Sequence, residues 1–345
     1  MMKQSFKLTE EDTFLKTVTQ EKAVDVISKQ LGGEVIGFSD EWFAAATNLI
    51  KPTKPIRDAT KFTFSGAWYD GWETRRHNET EYDWVLFKVG VHAVNIVGAE
   101  IDTAFFNGNH APAISVDALY EEDVTSSDAI VREDDPRWEE IIQKVECGPS
   151  QRHFLLREDG LTNDKFNFIK LKMYPDGGIA RFRLFGKVCQ TNYPPQKIRD
   201  LAFAGNGGVI HSFSDQHFGS TNNLILPGRG HDMSDGWETK RSRIAGHTDW
   251  VIIELEKRSS FIQKIIVDTA HYRGNFPQFI SIDGIDHNEG DLTESKNEWV
   301  QIVEKCRTSA DKEHIYEVNT EVPISHVKLT IFPDGGVKRV RVWGY

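Results

Sequence analysis

Most of this chain is written twice. The stretch DVISKQLGGEVIGFSDEWFAAATNL (25–49) lies without gaps on DLAFAGNGGVIHSFSDQHFGSTNNL (200–224). DGWETRRHNETEYDW (70–84) returns as DGWETKRSRIAGHTDW (235–250), and EIDTAFFNGNHAPAIS (100–115) as VDTAHYRGNFPQFIS (267–281). YPDGGIARFRLFG (174–186) returns as FPDGGVKRVRVWG (332–344). A chain whose halves repeat must fold each half by the same rules. Of 345 residues, each copy is long enough to bury its own core without staples. The boundaries fall at 1–188 for the first domain, 189–195 for a linker containing Pro194-Pro195, and 196–345 for the second.

The apolar runs are short, β-branched and aromatic: WVLFKV, HAVNIV, NFIKLKM, WVIIEL, FIQKIIV and HVKLTIF. Turn signals separate them. After each Pro-Asp-Gly-Gly turn the residues alternate, with Ile179, Arg181, Arg183 and Phe185 on one side and Ala180, Phe182 and Leu184 on the other. No Walker loop, GxGxxG or strand–helix alternation occurs, so the pattern predicts an all-β fold of two antiparallel sandwiches. Residues 9–31 begin like a helix, with Thr9 before an acidic turn and Phe14, Leu15 and Val18 at helical spacing, until the repeat takes over at Asp25. Gly32-Gly33 and Gly207-Gly208 mark turns with unusual backbone angles. The unmatched segment around 51–64 reads as an irregular loop, and 119–139 as a solvated acidic one.

The formal charge is −11. This argues against a nucleic-acid partner, because that binding draws its affinity from Lys and Arg on phosphates. A small anion needs only one or two local arginines. Cys147, Cys189 and Cys306 have no disulfide or metal-site spacing. The N-terminal residues carry no signal-peptide pattern, and no run approaches the ~18 apolar residues of a membrane span. A cytoplasmic protein with no membrane partner is expected. Among twelve histidines there is no HxH or HExxH, so no metal or other cofactor is expected.

The motifs GGxVxxFSD, DGWETRR, DWVxxKxG, DTAFFNGN and PDGGIARFRLFG, all given twice, resemble the allantoicase family, its fungal members above all. That resemblance covers nearly the whole chain. It implies two tandem jelly rolls similar to galactose-binding, discoidin-type modules, and a homo-oligomer. It also implies a hydrolase of purine (allantoin) degradation: allantoate plus water gives ureidoglycolate plus urea. A non-catalytic tandem discoidin-like binding protein is the competing reading, which fold alone does not separate from the first.

Release of urea needs a cation for the carboxylate, a general acid for the departing ureido nitrogen and a general base for water. Glu73 and Glu238 are the first candidates for catalysis, each beside a basic pair and a tryptophan (Trp72, Trp237) that is itself a candidate wall for the substrate. The alternative is that each Glu ties down its own loop. Asp102 and Asp268 open the DTA segments and, with His271, complete the catalytic candidates. Arg75, Arg76 and Arg241 are candidates for the carboxylate clamp, with Arg273 next. Asn107, Asn109, His110 and Asn275 carry groups that suit a ureido function, and equally suit turns. Phe105 stands where the second copy has His271, so the copies are not equivalent. Asp40 and Asp215 either bind substrate or cap a turn, the cap being the simpler reading; Asp176 and Asp334 read as turn residues, and Arg181, Arg183, Arg339 and Arg341 as a solvated strand face.

Overall fold

The computed structural model describes residues 6–122, 131–191, 193–194, 196–259, 261–287, 292, 298–320 and 322–345. Part of the acidic segment 119–139 lies outside them. The chain divides into two compact units, Met1–Cys189 and Gln190–Tyr345. Every sheet is built from strands of one unit only.

In the first unit, one sheet runs in the order Phe6–Thr9, Arg152–Arg157, Val94–Asp102, Arg181–Val188, Val24–Asp25. The other runs Glu139–Glu146, Ala113–Leu119, Phe168–Tyr174, Asp83–Lys88, Glu34–Phe38. Neighbouring strands pair antiparallel. The period of two sets the core. Ile169, Leu171 and Met173 point inward against Val85, Phe87, Phe182 and Leu184, while the alternate Lys170 and Lys172 both pair with Asp117 on the other face. Inward apolar positions from both sheets thus form one buried layer, as in a sandwich.

The second unit repeats this order. Its sheets are Arg199–Asp200, Arg339–Gly344, Ile262–Asp268, Glu313–Thr320, and Val209–Phe213, Asp249–Ser259, Ile324–Phe332, Phe279–Ile285, Val300–Arg307. Among the described residues it lacks the counterpart of Phe6–Thr9, so Glu313–Thr320 is an edge. The all-β jelly-roll expectation holds in both units.

The helix is shorter than the sequence suggests. It spans Glu11–Gln20 and follows Glu10, not Thr9, at the N-cap position, with no side-chain capping hydrogen bond. Phe14 and Val18 pack on Val97 and Phe154, and Leu15 is exposed. It stops because Val24–Asp25 is recruited to the sheet edge beside Arg181–Val188. Gly32 and Gly207 adopt φ of 101° and 110°, the left-handed turns that the paired glycines call for.

The arginine face is a correction. Arg181 is 1% exposed and its Nη2 lies 2.6 Å from Asp70 Oδ2. Arg339 is buried and donates to the carbonyl of Asp235. Arg183 meets Asp25, and Arg341 faces Asp200. These strands are covered by the loops that precede the DGWET segments, so the alternating arginines face carboxylates and loop carbonyls instead of open water.

Candidate functional site

In each unit a two-residue ribbon holds the site. Trp72–Glu73 pairs with Gly178–Ile179, and Trp237–Glu238 with Gly336–Val337. This joins the DGWET loop to the PDGG turn. Glycine is required at 178, where a Cβ would stand 2.2 Å from the Phe106 ring, and at 336, where Tyr272 fills the same place.

Two indoles are placed where a ligand does not reach them. Trp72 and Trp237 are 0% exposed, and each Nε1–H donates to a backbone carbonyl, of Asp40 and Asp215 respectively. They are core anchors of the loop, a correction to the expectation that they bind substrate. Asp40 and Asp215 tie the loop from outside: their carboxylates accept the backbone N–H of Arg75 and Lys240.

Glu73 is brought together with Asn109, Arg76 and Asp176. Asn109 Nδ2 donates to Glu73 Oε1 at 2.7 Å. Arg76 Nη1 lies 2.9 Å from Asp176 Oδ1. Burial pushes the Glu73 carboxyl above its ordinary range, although the Asn109 hydrogen bond and the Arg76 charge pull the other way. His110 follows Asn109, and its backbone is bridged to Gly178, the register partner of Glu73. Its Nδ1 sits 3.1 Å from the carbonyl of Asn107. A carbonyl only accepts, so Nδ1 donates this bond, and in the neutral imidazole Nε2 is the lone-pair nitrogen. Arg75 is exposed, pairs with Asp40 and lies over the Trp42 ring.

The second unit repeats half of this. Asn275 Nδ2 donates to Glu238 Oε1. Arg241, the counterpart of Arg76, is exposed and has no ion pair among the described residues, and Asp334 accepts Ser242 N–H instead. Phe276 occupies the position of His110. His271 and Arg273 line a separate cleft of about 500 Å³ with Asp232, Met233 and Ser234, whose walls include neither Glu238 nor Asn275. His271 and Phe105 do share a backbone role, at φ of 68° and 70°.

Asp102 and Asp268 end equivalent strands, and each caps the turn that follows through Ala104 or Ala270 N–H. Burial raises the Asp102 carboxyl. Asp268 is 1% exposed and held by Arg229 through two hydrogen bonds of 2.7 and 2.9 Å. Both Asp268 oxygens are thus committed to Arg229 and to the turn. The sequence reading missed that Asp176 orients Arg76; the joint recurrence of the DGWET and PDGG motifs was the available signal.

The allantoicase repeat model matches residues 24–189 and 199–345. The chain belongs to the allantoicase family. It is 61% identical to the allantoicase of Saccharomyces cerevisiae, over 99% of both chains, and 52% identical to that of Neurospora crassa, over 93% of this chain and 90% of the relative. The fold is similar to the crystal structure of the Saccharomyces cerevisiae allantoicase, with a TM-score of 0.88 at 59% identity, covering 99% of this chain and all of the other. Within the family frame, the differences between the two copies described above are differences inside one chain.

Proposed function

We propose that this chain hydrolyses allantoate to ureidoglycolate and urea, in purine degradation, and that the working site is the Glu73 site of the first unit. Family membership over the full length supports the reaction over a non-catalytic binding role. The observation that carries the site is the burial of Glu73 between Asn109 and the Arg76–Asp176 pair. A buried carboxyl, raised by its surroundings, is a proton donor at a pH where an exposed glutamate is not.

The roles follow from the geometry. Arg76, held in place by Asp176, grips the substrate carboxylate. Glu73 gives a proton to the departing ureido nitrogen as the carbon–nitrogen bond breaks. His110 Nε2 takes a proton from water as its oxygen bonds to the same carbon. Asn109 fixes Glu73, and Asn107 presents a side-chain amide that can donate to and accept from a ureido group. No metal or other cofactor enters these steps. Urea release from allantoate by the purified protein tests the reaction; its absence would overturn the reading.

Within the same reading the domains are 1–188 and 196–345 with a linker at 189–195, close to the division of the fold and to the family-model matches. The protein works in the cytoplasm as a homo-oligomer without nucleic acid or membrane. Charge supports the lack of a nucleic-acid partner, and no described helix is long and apolar enough to cross a membrane. The loop after residue 51 exposes Ile56, Phe62 and Phe64, the last at 87%, a surface suited to a second copy. Light scattering at micromolar concentration should exceed one 39.3 kDa chain; that single mass would count against an oligomer.

A further inference from the structure

We propose that the first unit carries a second ligand site, a cleft built on Arg157. It takes a small dipolar molecule that bears a carboxylate and nitrogen-bound hydrogens, as an amino acid or a ureido acid does. The site shares no residue with the Glu73 site.

The cleft encloses about 410 Å³. It opens between the edge pair of one sheet, Phe6–Thr9 with Arg152–Arg157, and the edge strand of the other, Glu139–Glu146. Phe6 and Arg157 are register partners in that edge pair. Phe6 and Phe166, both buried, give the cleft an apolar wall. Glu140, Gln143 and Asp164, all exposed, stand at its mouth. Arg157 ends a strand whose first residue, Arg152, is the register partner of Asp102. Five residues of strand, about 17 Å, therefore separate the cleft from the Asp102 end of the sheet, where the turn leading to Asn109 begins.

The hydrogen bonds of Arg157 point to an anion. The residue is 4% exposed. Its Nη1 donates to the carbonyls of Gly160, at 2.9 Å, and Leu161. Its Nη2 is buried with no acceptor, and no carboxylate pairs with it among the described residues. A guanidinium does not shed its charge, and an enclosed charge without a counter-charge is costly. Two N–H groups of a fixed fork are thus left to receive a carboxylate. The side chains of Glu140, Gln143 and Asp164 form no hydrogen bond or ion pair among the described residues. They are free to turn aside as a ligand oxygen reaches Nη2, and then to accept the ligand's N–H groups. A plain anion meets Glu140 and Asp164 as like charges. A molecule with its carboxylate inward and its N–H groups outward matches both ends of the cleft.

The duplicated scaffold supplies the contrast. With His153 laid on His314 and Trp138 on Trp299, Val318 stands in the place of Arg157 and Gln301 in that of Glu140. The same two strands form there and pair with their neighbours. The fold requires neither the cation nor the acid.

The test is calorimetric titration of the full chain carrying Arg76→Ala, so that the clamp of the Glu73 site does not take up the probe. The probes are glycine, N-carbamoylglycine and acetate. Glycine or N-carbamoylglycine should bind once per chain with a Kd of about a millimolar or tighter, and the tighter of the two tells an ammonium from a ureido partner. Acetate should bind roughly tenfold more weakly or not at all. Arg157→Met removes the cation, and Gln143→Trp fills the mouth while leaving the Arg157 bonds in place. Each should weaken binding by roughly tenfold or more. The tryptophan variant keeps the test decisive if the methionine variant does not fold. Absence of binding by both nitrogen-bearing probes would overturn the proposal. So would acetate binding as tightly as they do, or unchanged binding in folded Gln143→Trp.

Discussion

Asn109 donates its side-chain amide to Glu73 across 2.7 Å, and Asn275 makes the equivalent bond to Glu238. The bond is common to both copies; its surroundings are not. Glu73 is 7% exposed, with the paired Arg76 and His110 nearby in the fold, whereas Glu238 is half-buried and has Phe276 in place of the imidazole. Replacement of Glu73 by Gln should lower kcat for urea release by roughly 10²–10⁴-fold, and Glu238→Gln should leave it within a fewfold. Equal losses in the two variants would contradict a single working site. Glu73 must be protonated to act as acid, and its raised pKa keeps it so to higher pH than an exposed glutamate. Activity should therefore fall as pH rises through that pKa. A raised carboxyl pKa also means that folding favours the neutral form. Its contribution to stability is full below the unfolded pKa and lost as pH rises through the folded one. Glu73→Gln should thus melt no lower than wild type at neutral pH while losing activity.

The carboxylate clamp separates Arg76 from Arg75 and Arg241. Loss of a bidentate, charge-assisted contact should cost roughly 2–4 kcal/mol, or about 30- to 1,000-fold in kcat/KM, for Arg76→Ala. Arg76→Lys should not rescue it, since an ammonium lacks the planar fork. Arg75→Ala and Arg241→Ala should have smaller effects. Kinetics on the three folded variants decide between them; near wild-type efficiency for Arg76→Ala would move the clamp to Arg75, Arg241 or Arg273.

Asp70 and Arg181 form a buried pair, closed on the other carboxylate oxygen by Lys51 at 2.9 Å. Burial opposes ionisation of Asp70, but Arg181 and Lys51 outweigh it and hold its pKa below the usual value. Asp70→Ala leaves a guanidinium enclosed without its anion and should destabilise the first unit by about 3–5 kcal/mol. Denaturant unfolding measures this. With a depressed folded pKa, the pair's stabilisation is present above the unfolded pKa and is lost as pH falls through the folded one.

His153 and His314 are matched buried histidines. Each accepts a backbone N–H at 2.8 Å, from Gly148 or Ser309, on Nε2, and faces a carbonyl at 3.1 Å with Nδ1. Burial lowers both pKa values. Below about pH 6.5 the unfolded chain takes up protons that the folded one refuses, so stability should fall as pH drops from there. The double variant His153→Gln/His314→Gln should show a shallower loss of melting temperature between neutral and mildly acidic pH. An unchanged slope would assign the acid sensitivity to other groups.

The sandwich was legible because period-two alternation and turn residues act locally, and because the chain states them twice. The two-residue ribbon was partly legible, since the DGWET and PDGG motifs recur together. Arg181 was misread because alternating charge on a strand looks solvated, and its partner Asp70 lies 111 residues away. The Arg229–Asp268 pair was not legible either, because Arg229 sits in a loop with no repeat counterpart to flag it. Trp72 beside Glu73 suggested a wall for a ligand. Neighbours in sequence on a strand point to opposite faces, so the indole went inward while the carboxyl took the hydrogen bond.

The short strand Phe6–Thr9 seals the rim of the first unit by pairing with Arg152–Arg157. Glu313–Thr320 has no such cover among the described residues. Its outward Glu313, Ile315 and Glu317 alternate acid, apolar, acid, with the carboxylates as gatekeepers against a foreign strand. Proteolytic trimming of the first nine residues would open a second rim at Arg152–Arg157, and cross-chain strand addition would begin there before either core had melted.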